Sequence, residues 1–180
     1  MEELDARCLE AFPGWLRSLN ADALALVQLV EEERGNEAAR RHLAGSLNYL
    51  FKSLDLIPDG IEDLGFIDDA FVFRVAAWLA LADDPTLGSG DAPVARMAGD
   101  ATLIQEFLGE DYARLDTYVR ALGDVSARGR NVDEVLATPE SRAEIGREVR
   151  TWADAYTAPS FNRDEKTLVK LRAFLSAKLP

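Results

Sequence analysis

Residues 69–83 are the most demanding segment of the chain. They read as one helix in which Phe71, Val72, Phe73, Val75, Trp78, Leu79 and Leu81 cover the whole circumference, with Arg74 the only charge between its terminal aspartates, Asp69 and Asp83. A helix that is apolar all round has no face to offer water, so it must be wrapped by other elements or lie in a bilayer. Length excludes a transmembrane span: the apolar run from Ala70 to Ala82 covers about 13 residues, and a single span takes about 20. Other helices must therefore supply the wrapping.

The remaining sequence provides them. Helical periodicity recurs along nearly the whole chain, and convincing apolar/polar alternation is missing. The expected fold is all-α, a compact bundle of about seven or eight helices around the central one. A helix over 22–34 is expected to start after Asn20 as its N-cap, to bury Leu24, Leu26, Val27, Leu29 and Val30, and to stop at Gly35. Residues 37–54 place Leu43, Leu47, Leu50, Phe51 and Leu54 on one stripe, opposite Arg41, Gly45, Asn48 and Lys52. Asp83-Asp84-Pro85 ends the central helix, and 84–93 reads as a flexible connection. Beyond it, Asp100 is expected to cap a helix bearing Leu103, Ile104, Phe107 and Leu108, and the pattern resumes after Gly109 with Leu115, Val119 and Leu122. Thr138-Pro139 starts a helix carrying Ile145, Val149, Trp152 and Tyr156, because proline suits the first helical position. Asn162 and Glu165 have capping-box spacing for a last helix with Leu168, Leu171 and Leu175. Residues 1–180 are read as one helical domain, with the C-terminal half, 94–180, packed against the N-terminal half.

Charge narrows the partners. The 180 residues carry 20 Lys and Arg against 32 Asp and Glu, a formal net charge of −12. Residues 1–90 hold 7 of the basic and 17 of the acidic groups, so the acidity belongs to the N-terminal half. Such a surface repels phosphate backbones, and nucleic-acid binding is not expected. A basic protein surface is the better electrostatic fit. The chain has one cysteine, Cys8, and opens on Met-Glu-Glu-Leu-Asp without the basic and apolar regions of a secretory signal, which predicts a cytoplasmic protein. No cofactor is expected, and no oligomeric state is legible.

The informative segment runs from Asp55 to Asp69. Six carboxylates, Asp55, Asp59, Glu62, Asp63, Asp68 and Asp69, occur there without a basic residue. Leu56, Ile57, Ile61, Leu64, Phe66 and Ile67 interleave with them, unlike a solvated acidic tail, so the segment is an ordered turn between two strong helices. The run Asp55-Leu-Ile-Pro-Asp59, followed by Leu64-Gly65-Phe66-Ile67-Asp68-Asp69 and preceded by Leu47-Asn48-Tyr49-Leu50-Phe51, resembles the signature of the YkvA-like family, a short, mainly bacterial domain of unknown function. The resemblance covers residues 38–83. Ser53 and Glu62 stand where that family usually has proline, which predicts a less rigid turn. The resemblance implies a helix, a tight turn and a second helix, and no reaction. Some members look membrane-embedded through this hairpin; the short, acidic version here argues for a soluble one.

The motif has a structural reading. Pro58 forces Ile57 out of the α-region and stops the preceding helix near Leu54 or Asp55. Asp59 with Glu62 has capping-box spacing, Gly65 can take a positive φ, and Asp68 or Asp69 can cap the central helix. Arg74 is the expected internal counter-ion of the cluster, since a buried arginine needs a carboxylate. A sharper alternative has Asp55, Asp59, Asp68 and Asp69 converging on a divalent cation, although the spacing is not that of an EF-hand loop. The favoured function is a non-enzymatic interaction or scaffold role with the acidic turn facing a basic partner. The alternatives are a divalent-metal-dependent hydrolase and peripheral membrane association.

Other residues carry weaker signals. His42 is expected to be an exposed bystander. Cys8 has no histidine or second cysteine with it, Gly88-Ser89-Gly90 lacks the lysine of a phosphate loop, and Trp15, Trp78 and Trp152 are assigned to the core or to interfaces.

Overall fold

The computed structural model describes residues 1–52 and 55–180. Among them, helices α1 (Glu3–Glu31), α2 (Glu37–Leu50), α3 (Ile67–Asp83), α4 (Thr86–Gly90), α5 (Ala92–Leu108), α6 (Tyr112–Ala121), α7 (Val132–Ala137), α8 (Pro139–Ala155) and α9 (Glu165–Lys178) follow one another. No strand occurs among the described residues beyond an isolated bridge between Ala127 and Arg130. The fold is the expected all-α bundle. No helix is long and apolar enough to cross a membrane.

The bundle is organised by α3. Its residues from Ile67 to Ala77 are all buried, and α1, α2, α5 and α6 pack around it. Each large apolar side chain buried this way is worth about 1.5–3 kcal/mol, which is why the most apolar helix takes the centre. The wrapping is not complete: Trp78 is 47% exposed. A single buried apolar cluster runs from Cys8 in α1 to Leu175 in α9 and on to Leu179.

Several expected boundaries move, each for a physical reason. Asn20 starts no helix, because α1 runs unbroken through it, and even through Pro13. Leu16, Leu19, Ala23, Leu26 and Val30 form one buried stripe, and that continuous burial outweighs a local capping preference. Leu24 falls off the stripe and is exposed. α2 ends at Leu50, earlier than expected, and is capped at its start by Asn36, whose side chain accepts the Ala39 N–H at 2.9 Å. The expectations for Ser53 and Leu54 lie outside the described residues.

Within 84–93 the chain forms α4, pinned by buried Leu87. Asp84 adds a tie by accepting the Asn36 N–H at 2.8 Å. Asp91, not Asp100, caps α5, accepting the Val94 N–H at 2.9 Å. Asp100 lies in the middle of that helix. Gly109, at φ +57°, ends α5 and leads through a 3-10 turn into α6. Asp164 rather than Asn162 caps α9, accepting the Thr167 N–H at 2.8 Å.

A candidate functional site at the acidic turn

The turn is built by one tyrosine and one aspartate. Tyr49, in the last turn of α2, donates its hydroxyl to Asp68 Oδ2 at 2.5 Å and accepts the Leu56 N–H at 2.8 Å. Asp68, in the first turn of α3, also accepts the Ile57 N–H at 3.2 Å through the same oxygen. Asp68 therefore acts inside the first turn by holding the loop, not as an N-cap. The position before α3 is taken by Phe66, in the left-handed region at φ +65°. That conformation is costly for a bulky residue, and Phe66 is held in it by aromatic packing against Trp152 and Tyr156 of the C-terminal half, with ring centroids 6.1 and 5.4 Å away.

Gly65 is required for space and not for a positive φ. The left-handed residues of the turn are Asp63 and Phe66, while a Cβ on Gly65 would run into the carbonyl oxygen of Asp59. Its N–H donates to the Ile61 carbonyl at 3.0 Å, closing the loop on itself. No helix begins at Asp59 among the described residues, so the expected capping box with Glu62 does not form. Asp63 faces the C-terminal half, where Asn162 Nδ2 donates to it at 2.8 Å.

Three of the four carboxylates expected to converge do so: Asp59, Asp68 and Asp69 bring one oxygen each within 4.8 Å of one another. Asp55 is not in that trio, although it is close enough for Asp68 and Asp59 to raise its pKa. Asp68 and Asp69 are fully buried, and Asp59 is exposed at the mouth. Asp68 Oδ1, Asp69 Oδ2 and Asp55 Oδ1 are buried without a hydrogen-bond donor among the described residues. The first-turn position of Asp68 and Asp69 lets the positive end of α3 offset part of this charge.

Arg74 does not supply the rest. It is buried, donates to Asp100 Oδ2 at 3.1 Å and to Asp22 Oδ2 at 3.4 Å, and lies over the Trp15 ring at 4.3 Å. Its counter-ions come from α1 and α5, two residues that the sequence reading assigned no such role. Asp22 also accepts Arg96 Nη2 at 2.5 Å and the Ser18 hydroxyl at 2.9 Å.

Asp55 and Asp69 hold their protons more tightly than ordinary carboxylates. Burial first, then Asp68 and Asp59, push Asp55 up to about 7, and burial then neighbouring carboxylates raise Asp69 well above the ordinary range. Between pH 4 and 7 the folded state therefore binds more protons at the turn than the unfolded chain, so stability is full below that window and falls as pH rises through it. Asp84, Glu106, Asp111 and Asp164 are shifted down and act in the opposite sense only below their ordinary values. Urea midpoints of the metal-free protein are expected to be lower at pH 8 than at pH 5. A midpoint that rises across this interval would show the turn to be compensated.

Tyrosines roof the same region. Burial and then Asp69 and Asp59 raise the Tyr156 phenol, and burial and then the turn's carboxylates push Tyr118 up to about 12. Lys52 donates to the Tyr118 hydroxyl at 2.7 Å, and burial lowers its pKa. The signal for Tyr49 was present in the sequence, as a hydroxyl at the end of an apolar helix beside an acidic run.

The remaining candidates lie elsewhere. His42 is no exposed bystander: it is partly buried, with Nε2 2.8 Å from Asp83 Oδ2. Burial pushes the Cys8 thiol up to about 11, which leaves it unreactive at neutral pH. Trp15 is buried with Phe12, Phe71 and Phe107, and Trp152 packs on the turn through Phe66. No curated protein and no solved structure matches the chain. Residues 39–82, which span most of α2, the acidic turn and α3, match the model of a family described as a protein of unknown function (DUF1232).

Proposed function

We propose that residues 39–82 form a YkvA-like hairpin whose acidic turn binds one divalent cation, and that this turn serves a cytoplasmic, non-enzymatic interaction module. The observation that carries the reading is the pair of buried oxygens, Asp68 Oδ1 and Asp69 Oδ2, left without a donor while Arg74 is engaged with Asp22 and Asp100. Buried charge without a partner is expensive, and a hard cation is the natural partner for carboxylate oxygen. The spacing fits. Oxygens sharing one hard cation with bonds of ~2.4 Å lie at most ~4.8 Å apart, and the three carboxylates each bring an oxygen within that limit of the others.

A basic protein partner would approach the same turn from its mouth, where Asp59 is exposed. That exposure also favours a second reading, a metal-dependent hydrolase, since an open side leaves room for a further ligand on the ion. The contiguous buried cluster supports treating the chain as one domain, with the C-terminal half as the support of the turn.

Titration of Ca²⁺ or Mn²⁺ into chelator-stripped protein is expected to show one equivalent bound. At ten times its dissociation constant the ion should stabilise the fold by about 1.4 kcal/mol, a few degrees in Tm. Asp69→Asn is expected to abolish the binding and yet raise the Tm of the metal-free protein at alkaline pH, because the amide cannot take on the charge that burial and the neighbouring carboxylates penalise. Absence of binding together with a lower metal-free Tm for Asp69→Asn would sink the proposal.

A further inference from the structure

A second site lies on the flank of the hairpin, where α2 ends. A pocket of about 340 Å³ is lined by Phe51, Arg128, Arg147, Glu148 and Trp152 among others, a volume at the lower end of small-ligand sites. It borders the turn through Trp152, which packs on Phe66, but it contains none of the turn's carboxylates. On a chain of net charge −12 this pocket is locally basic. Arg147 makes no ion pair or side-chain hydrogen bond among the described residues. Glu148 is shared, with one oxygen on buried Arg130 at 2.8 Å and the other in a loose ion pair with Arg128 at 3.8 Å, so one carboxylate faces two pocket arginines and the lining keeps a net positive charge.

The backbone at Arg128 is the independent observation. Arg128 and Gly129 both sit in the left-handed region, at φ +51° and +72°, in a two-residue turn closed by the Ala127–Arg130 bridge. Such turns favour Asn-Gly, and an arginine at the first position carries a conformational cost. A merely solvated arginine needs no such backbone. Here the turn carries the guanidinium over the Phe51 ring, 4.5 Å from its centroid, at the pocket wall. The Trp152 indole then offers an apolar wall to a second planar group.

A guanidinium seated over an aromatic ring, a second unpaired one and an indole make a receptor for an aromatic ring that carries a phosphate. Arginine forks match phosphate oxygens two at a time, and rings stack on tryptophan without regard to their substituents. We propose that this pocket binds an aromatic phosphate, with the ring against Trp152 and the phosphate between Arg128 and Arg147. The site is independent of cation binding at the turn.

Calorimetric titration of the full chain in the presence of a chelator would test it, with AMP, phenyl phosphate, adenosine and inorganic phosphate as probes. AMP or phenyl phosphate is expected to bind saturably, at least about tenfold more tightly than inorganic phosphate or adenosine. The tighter of the two identifies the source as a nucleotide or a simple aryl phosphate. Arg147→Gln and Arg128→Gln should each weaken binding about tenfold with little change in Tm, since both side chains are exposed. Asp69→Asn should leave the affinity unchanged, which separates this site from the turn. The proposal is overturned if neither aromatic phosphate saturates, if inorganic phosphate binds as tightly, or if Arg147→Gln changes nothing.

Discussion

Arg74→Met is expected to lower the free energy of unfolding by about 3–5 kcal/mol, or roughly 10 °C in Tm. Arg74 is completely buried, and so is its partner Asp22, which has only Arg96 and Ser18 to fall back on. Methionine fills much of the volume but leaves the Asp22 carboxylate short of a counter-ion in the core, which is the costly way to break a buried pair. The stacking of the guanidinium on Trp15 is lost as well. Chemical denaturation measures the loss. The double variant Arg74→Met, Asp22→Asn should recover a large part of it, because removing both charges together avoids the stranded one. A single variant as stable as the parent would show that Asp22 and Asp100 do not depend on Arg74.

Gly65→Ala is the second large effect, expected to cost about 3 kcal/mol. The methyl would press into the backbone carbonyl of Asp59, which has no rotamer to yield with, so the loop must open. Opening it moves Asp59 away from Asp68 and Asp69. Denaturation should therefore show destabilisation, and titration of Ca²⁺ or Mn²⁺ should show weakened binding in the same variant. Alanine's φ is not the difficulty, because Gly65 is not in the left-handed region. An alanine variant with parental stability would mean that the turn relaxes freely at this point.

Elements and their ends were legible to different degrees. The helical fold followed from periodicity alone, because an apolar residue every three or four positions can only be buried by helices. The start of α8 at Thr138-Pro139 was readable for the same local reason, since proline pre-sets the first helical φ. Asn20, Asp100 and Asn162 have capping chemistry but cap no helix, because capping preference is about 1 kcal/mol, less than the burial of a continuous stripe or a charged tertiary hydrogen bond. Asn20 lies within α1, Asp100 turns to Arg74, and Asn162 reaches Asp63.

That α3 is central and that a tight acidic turn precedes it follows from the residues alone, from which of them tolerate water and which tolerate a helix. Where the charges find partners depends on how the helices pack. Arg74 is five residues from Asp69 in sequence, yet its salt bridges are to Asp22 and Asp100 on other helices, while Asp68 is held by Tyr49 across the hairpin. Electrostatic pairing depends on distance in space and on burial, and neither is written in sequence separation. That is why the arginine nearest the turn in sequence serves α1 and α5 instead.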